Sequence, residues 1–317
     1  MMEIFRQTKA YQLVDGDLRQ GRLSHAYLLL LPDAGSLGSC LRVLAQRILT
    51  DGLAQGEAER VARLVAQDRH PDCRFFPAPG EKCGVAEVRS MLDECYIKPV
   101  EGARKIFILG AVHDMLAAAQ NKLLKVLEEP PAGVVFLLGS ASEYAVLSTV
   151  RSRAKRLDVH AFPESAIEAY LRGKYPDRPD VKEIAVLSGG LPGRADELAQ
   201  SGSVSGECER LVQLVLNLSP ASIPLAARSF AGREDAVRAL ALLRLIFRDL
   251  LMLRLGREDL LLSGGDRRVL AKAAQRYPET ALVRAQGYIG QCERELRANA
   301  VVPMSIEALL HSILEDR

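Results

Sequence analysis

The chain has 317 residues, 48% hydrophobic and 26% charged, with 42 Lys and Arg against 40 Asp and Glu. That balance suits a water-borne protein of two or three domains. A formal charge of +2 excludes a phosphate-binding surface spread over the whole molecule, though not a local basic patch. No apolar run reaches the length of a membrane span, and the opening MMEIFRQTKAY has no apolar signal segment, so a cytoplasmic location is expected. Cys40, Cys73, Cys83, Cys95, Cys208 and Cys292 are scattered without a CxxC pair. They read as free thiols rather than zinc ligands. The absence of Trp and the 5% aromatic content argue against stacking platforms for single-stranded nucleic acid.

Residues 1–22 are polar and mixed, with a short helix expected before Gly21. Residues 24–31 form a strand-like run. Residues 32–40 then read as a strand-to-helix turn relieved by Gly35 and Gly38, with a helix over 41–49. Ala62, Val65 and Ala66 place an amphipathic helix within 51–67. His70-Pro71-Asp72 precedes a strand at 73–76. In 85–96, Val85, Val88, Met91, Leu92 and Cys95 share one helical face. Pro99-Val100-Glu101-Gly102 is a turn. The apolar run 105–109, closed by Gly110, is too short for a helix and reads as a buried strand. Asp114 is expected to cap a helix over 115–129, in which Leu116, Ala119, Leu123 and Leu127 recur at helical spacing. Pro130-Pro131 ends it, because neither residue has an N–H to donate. A second buried strand covers 134–138. Strand, helix, strand is the unit of a parallel sheet with helical cover.

Arg151-Ser152-Arg153 lies just before a last strand at 155–159, and His160 to Pro163 marks a boundary near residue 161. Helices are expected over 163–172, with Ile167 and Leu171 inward, over 181–187, and from 191 onward. Residues 200–206 read as a Ser/Gly linker. Helical spacing continues over 208–218, 223–230, 234–255, 266–277 and 279–298.

The segments AAAQNKLLKVLEEPP, VVFLLGSA and VLSTVRSRA resemble the core of bacterial clamp-loader subunits of the AAA+ family. The resemblance is to the delta-prime subunits of DNA polymerase III in particular. KPVEGARKIFIL, SGGLPGRA and the final stretch 299–310 extend the resemblance, strongest over 101–153 and only architectural over about 204–295. It implies an α/β AAA+ core at 1–161, a small helical lid at 162–203 and an all-α collar at 204–317. His70-Pro71-Asp72 is also the signature of J-domain cochaperones. The strand-like run after it suits the clamp-loader family instead, and His70 is expected to be structural. Many delta-prime relatives carry a four-cysteine zinc module here, yet no cysteine lies between Cys40 and Cys73.

In that family the SHAYLL strand leads into a P-loop, whose amides cradle phosphates while a Lys reaches the β- and γ-phosphates. Here Pro32, Gly35, Gly38 and Ser39 remain, but Leu37 falls about where the Lys belongs, and no Lys occurs between Lys9 and Lys82. The next strand should end in an Asp for Mg²⁺ and a Glu to orient water. It ends in Gly110-Ala111-Val112-His113. Two independent requirements of ATP hydrolysis are missing, so no nucleotide, metal or zinc is expected in the chain's own site.

Ser152-Arg153-Ala154 resembles the family's Ser-Arg-Cys motif, with Ala for Cys. The resemblance implies that Arg153, supported by Ser152, contacts the ATP of a neighbouring subunit as a trans arginine finger. A guanidinium suits that role, being permanently charged and shaped as a planar fork for phosphate oxygens. Taken in isolation, Arg153 would read as a strand-edge residue paired to a carboxylate, and Arg151 as a local contact. Arg194 matches the sensor-2 Arg that touches nucleotide in cis in active relatives, and here a structural role is expected of it. The implied partners are the gamma/tau ATPase subunits and the delta subunit, with the sliding clamp and primer-template DNA reached through the complex. An active gamma/tau-like ATPase is the alternative, opposed by the missing Lys. A delta subunit would lack the LEEPP and Ser-Arg motifs, and a stand-alone DNA-binding protein would concentrate its basic residues.

Overall fold

The structure, a computed structural model, describes residues 2–77, 83–230, 232–263 and 266–317. Two short helices, α1 (Met2–Arg6) and α2 (Lys9–Arg19), precede β1 (Ala26–Leu30). There follow α3 (Ala34–Leu49), α4 (Gln55–Ala66), β2 (Cys73–Phe76), α5 (Val85–Cys95), β3 (Lys105–Leu109), α6 (Ala117–Glu128), β4 (Val134–Ser140), α7 (Ser148–Arg151) and β5 (Lys155–Asp158). The five strands make one parallel sheet in the order β2-β3-β4-β1-β5. Ala26 pairs with Phe136, Lys105 with Val134, and Tyr27 with Lys155. β1, β3 and β4 are buried along their whole length, which is why they read as unbroken apolar runs rather than alternating ones. Phe107 and Phe136 stack across β3 and β4 with ring centroids 5.8 Å apart. Met91 of α5 and Leu123, Val126 and Leu127 of α6 join the same core. This is the expected α/β AAA+ core. The strand order gathers the C-terminal ends of β1, β3 and β4, the edge at which open parallel sheets place their ligands.

The remaining elements are helical: α8 (Glu164–Lys174), α9 (Val181–Leu187), α10 (Pro192–Gln200), α11 (Val204–Leu216), α12 (Ile223–Arg228), α13 (Arg233–Arg254), α14 (Arg267–Gln275), α15 (Glu279–Arg297) and α16 (Val302–Glu315). The chain divides into two compact units. One comprises residues 1–170 with 190–194; the other comprises 171–189 with 195–317. In the second, the α13 stripe of Leu240, Leu243, Ile246, Phe247 and Leu250 is buried as core. Phe247 meets Tyr277 edge-on at 5.8 Å. No helix of the described residues is long and apolar enough to cross a membrane.

Four local expectations are corrected. The turn read over 32–40 is only Pro32-Asp33, because α3 already begins at Ala34 and takes Gly35 and Gly38 into its first turns. Asp114 caps no helix: it sits in a 3₁₀ turn, Val112–Asp114, and Leu116 occupies the N-cap position of α6 without a side-chain cap. The linker read over 200–206 shrinks to the three residues between α10 and α11, where Ser203 Oγ accepts the Gly206 N–H at 3.1 Å. The polar N-terminus forms two helices rather than one, because Phe5, Val14 and Leu18 are buried.

Candidate functional site

At the end of β1 the chain turns through Pro32 and Asp33 into α3. Asp33 occupies the N-cap position of that helix but makes no side-chain cap to it. Its carboxylate is buried and Oδ2 accepts the Gly193 N–H at 2.7 Å. Gly193 has no room for a side chain: a Cβ there would stand 2.4 Å from Asp33 Oδ1 and 3.0 Å from Gly35 Cα. The first turn of α10 thus rests backbone to backbone on the first turn of α3. Leu37 points into the core at 1% exposure. A Cβ on Gly139 of β4 would come within 3.4 Å of its Cδ2. Ser36 Oγ is buried without a hydrogen-bond partner, and Ser39 is exposed. Burial, with the Asp33 charge adding to it, pushes the Cys40 thiol up to about 12.

The end of β3 is filled in the same way. Gly110 lies under the ring of Phe75, where a Cβ would meet Phe75 Cζ at 2.8 Å. The same ring approaches Gly38 of α3, with the Arg42 guanidinium stacked 4.3 Å from its centroid. Val112 is buried, and His113 Nδ1 accepts the Ala141 N–H at 3.3 Å. β3 runs into Gly110, Ala111 and Val112, with no carboxylate to hold Mg²⁺. The turn after β1 carries the Asp33 carboxylate, which has the sign of a phosphate. The residues present do not fit a nucleotide.

At the opposite end of α6, Arg153 lies just past α7, after the C-cap residue Ser152. Its Nε donates to Glu128 Oε1 at 2.9 Å and its Nη2 to the same oxygen. Its Nη1 donates to the Thr149 carbonyl at 2.8 Å and to Ser152 Oγ at 3.3 Å. The Arg153 and Glu128 side chains are 31% and 49% exposed, and an ion pair so open to water contributes about 0–1 kcal/mol. Arg151 and Arg156 both reach Glu143, at 2.7 and 2.6 Å. The Arg156 hydrogen bond first, then that of Arg151, holds the Glu143 carboxyl below the usual carboxylate range.

A family model described as "DNA polymerase III, delta subunit" matches residues 6–163, which hold the whole sheet, Asp33 and Arg153, but not Gly193 or Arg194. Among curated relatives, the delta-prime subunit of DNA polymerase III from Bacillus subtilis is 24% identical over 265 residues, covering 81% of this chain and 80% of its own length. The chain belongs to the delta-prime-like clamp-loader subunits. The delta-prime subunit of Pseudomonas aeruginosa is 32% identical over 193 residues, 57% of this chain and 58% of that one. A gamma/tau subunit from Mycobacterium bovis is 28% identical over 166 residues, 49% of this chain but only 27% of that one.

In this delta-prime-like chain the structure sets Gly35, with Asp33, against Gly193 of α10, packs Leu37 on Gly139 and Gly38 against Phe75, and leaves Pro32 and Ser39 exposed. It sets Ser152 and Arg153 apart from them, beside Glu128. Arg194 is exposed, and it is the preceding Gly193 amide that meets Asp33. Sequence reasoning missed Asp33, Phe75 and Glu128. Asp33 carried a usable signal, since an acidic residue in a phosphate loop repels its ligand. Phe75 and Glu128 carried none, because their partners lie 35 and 25 positions away along the chain.

Proposed function

We propose that this chain is a non-hydrolysing clamp-loader subunit that serves as a stator and supplies Arg153 in trans to the ATP site of a neighbouring subunit. One observation carries the reading. The chain's own nucleotide corner is filled by Asp33, Leu37 and Phe75, while Arg153 stays at the surface on a pair that water weakens. Its proposed partners are gamma/tau and delta subunits, with the sliding clamp and primer-template DNA reached through the assembly. The proposed division is core 1–161, lid 162–203 and collar 204–317, without bound nucleotide or zinc and in the cytoplasm. Leaving Glu128 exchanges one carboxylate oxygen for phosphoryl oxygens that gain charge in the transition state. The fork is then stabilised most when the reaction needs it. The alternative, an active gamma/tau-like ATPase, is favoured by the likeness across 49% of the chain and opposed by Leu37 in place of a Lys.

The test reconstitutes the chain with gamma/tau and delta and follows clamp- and DNA-dependent ATP hydrolysis. Arg153→Ala is expected to assemble normally and to lower turnover by roughly 10³-fold, within the range of such fingers. Arg153→Lys, which keeps the charge but not the fork, should recover only a small part of it. Unchanged turnover in an assembled Arg153→Ala complex would leave the chain a scaffold only. Hydrolysis by the chain alone would favour the alternative.

A further inference from the structure

We propose that Asp33 is an internal anion that stands in for a nucleotide phosphate and latches the first turn of α10 onto the first turn of α3. The inference rests on the reading that this site takes no nucleotide, and it names what replaces the ligand. Aspartate is a favoured N-cap residue because its carboxylate can accept the free amides of its own helix. Asp33 holds the N-cap position of α3 yet forms no such bond. Its carboxylate is spent instead on Gly193, 160 positions away. Pro192 is the first residue of α10 and has no N–H, so the Gly193 amide is the first donor that helix has to offer.

Two helix N-termini, each with the partial positive charge of its unpaired amides, therefore converge on one buried carboxylate. Phosphate sites are built on the same physics. The approach is possible only because Gly193 lacks a side chain. A Cβ on Gly193 would overlap Asp33 and come within 3.0–3.1 Å of the Gly35 backbone. Gly190, Gly193 and Arg194 all group with the first unit, and Phe162 N–H donates to the Gly190 carbonyl at 2.8 Å. The segment is held from both ends without any ligand. A phosphate entering this corner would have to displace a carboxylate of its own sign.

Amide hydrogen exchange on the full chain tests the latch, comparing wild type with Asp33→Ala and Asp33→Asn. In Asp33→Ala the Gly193 amide should exchange about tenfold faster or more, the loss expected for a hydrogen bond to a charged acceptor. Amides of β1 and β4 should be unaffected. Asp33→Asn keeps a neutral acceptor and should lie between. Millimolar pyrophosphate should slow exchange at Gly193 in Asp33→Ala and leave wild type unchanged. The proposal fails if Gly193 exchanges at the wild-type rate in both variants. It fails equally if exchange accelerates but pyrophosphate does not slow it, for then Asp33 is an ordinary helix cap. If Asp33→Ala loosens the whole sheet, Asp33→Asn decides: protection at Gly193 equal to wild type overturns the latch. A separate titration of wild type with fluorescent ADP probes the underlying reading. Tight binding there would sink the nucleotide-free site, whatever the exchange data show.

Discussion

At the scale of single residues, the proposed loss of ATP chemistry rests on packing as well as on missing groups. Leu37 is not a neutral placeholder for a lysine. It is buried on Gly139 with the rest of the α3 underside. Restoring the lysine alone therefore should not restore the site. Leu37→Lys would set an ammonium in that core, and Asp33, four residues before it, could pair with the new charge only by releasing Gly193. We expect Leu37→Lys to lose about 3–5 kcal/mol of stability, as uncompensated buried charges do, and to gain no saturable ATP binding. Urea unfolding and a fluorescent-nucleotide titration measure the two halves. A variant as stable as wild type that binds ATP would mean the corner is a dormant nucleotide site rather than a filled one.

At the scale of elements, the turn joining α4 to β2 shows a motif given over to architecture. Asp72 is fully buried and its carboxylate accepts the N–H groups of Val100, Glu101 and Gly102 at 2.6, 2.7 and 3.3 Å. It thereby pins the turn that feeds β3. His70 is buried beside it, its Nδ1 accepting the Asp72 N–H at 3.1 Å. Burial holds the His70 ring below its ordinary 6.5, with Glu101 at 3.8 Å only partly opposing. An unfolded chain takes up a proton on this residue as the pH falls through 6.5, while the folded chain stays neutral there. Stability should therefore be lost as the pH drops from about 6.5 toward the lower folded value. His70→Asn, which keeps an acceptor for Asp72, should flatten that part of the curve. Urea midpoints at neutral and mildly acid pH decide it, and equal slopes in both proteins would rule His70 out as the source. The strands were legible in the sequence because a strand buried on both faces can only be apolar throughout. The start of α3 was not. Gly35 and Gly38 read as loop residues when judged singly. The reasons they sit in a helix, the α10 turn on Gly35 and the Phe75 ring against Gly38, come from distant parts of the chain. Arg153 was legible as a candidate, but its present partner Glu128 was not.

At the scale of the whole molecule, the near-neutral charge is realised as local pairing. Arg42 with Asp68, Arg60 with Glu101, Arg74 with Glu94 and Arg284 with Asp316 are each matched at 2.7–3.1 Å. Arg151 and Arg156 share Glu143. Surface pairs of this kind add little to stability, but they cancel the field that would draw a polyanion. A protein that neutralises many phosphates releases as many counterions, and its affinity falls steeply with salt. Arginines held in such pairs have little to offer a phosphate backbone. Alone, it should bind primer-template DNA no tighter than about 10⁻⁶ M at physiological salt, with a log–log salt slope no steeper than about −2. Fluorescence anisotropy across a salt series measures both. Submicromolar binding with a slope near −5 would mean that the chain carries a DNA surface of its own. In that case, the proposed route to DNA through partner subunits would not be needed.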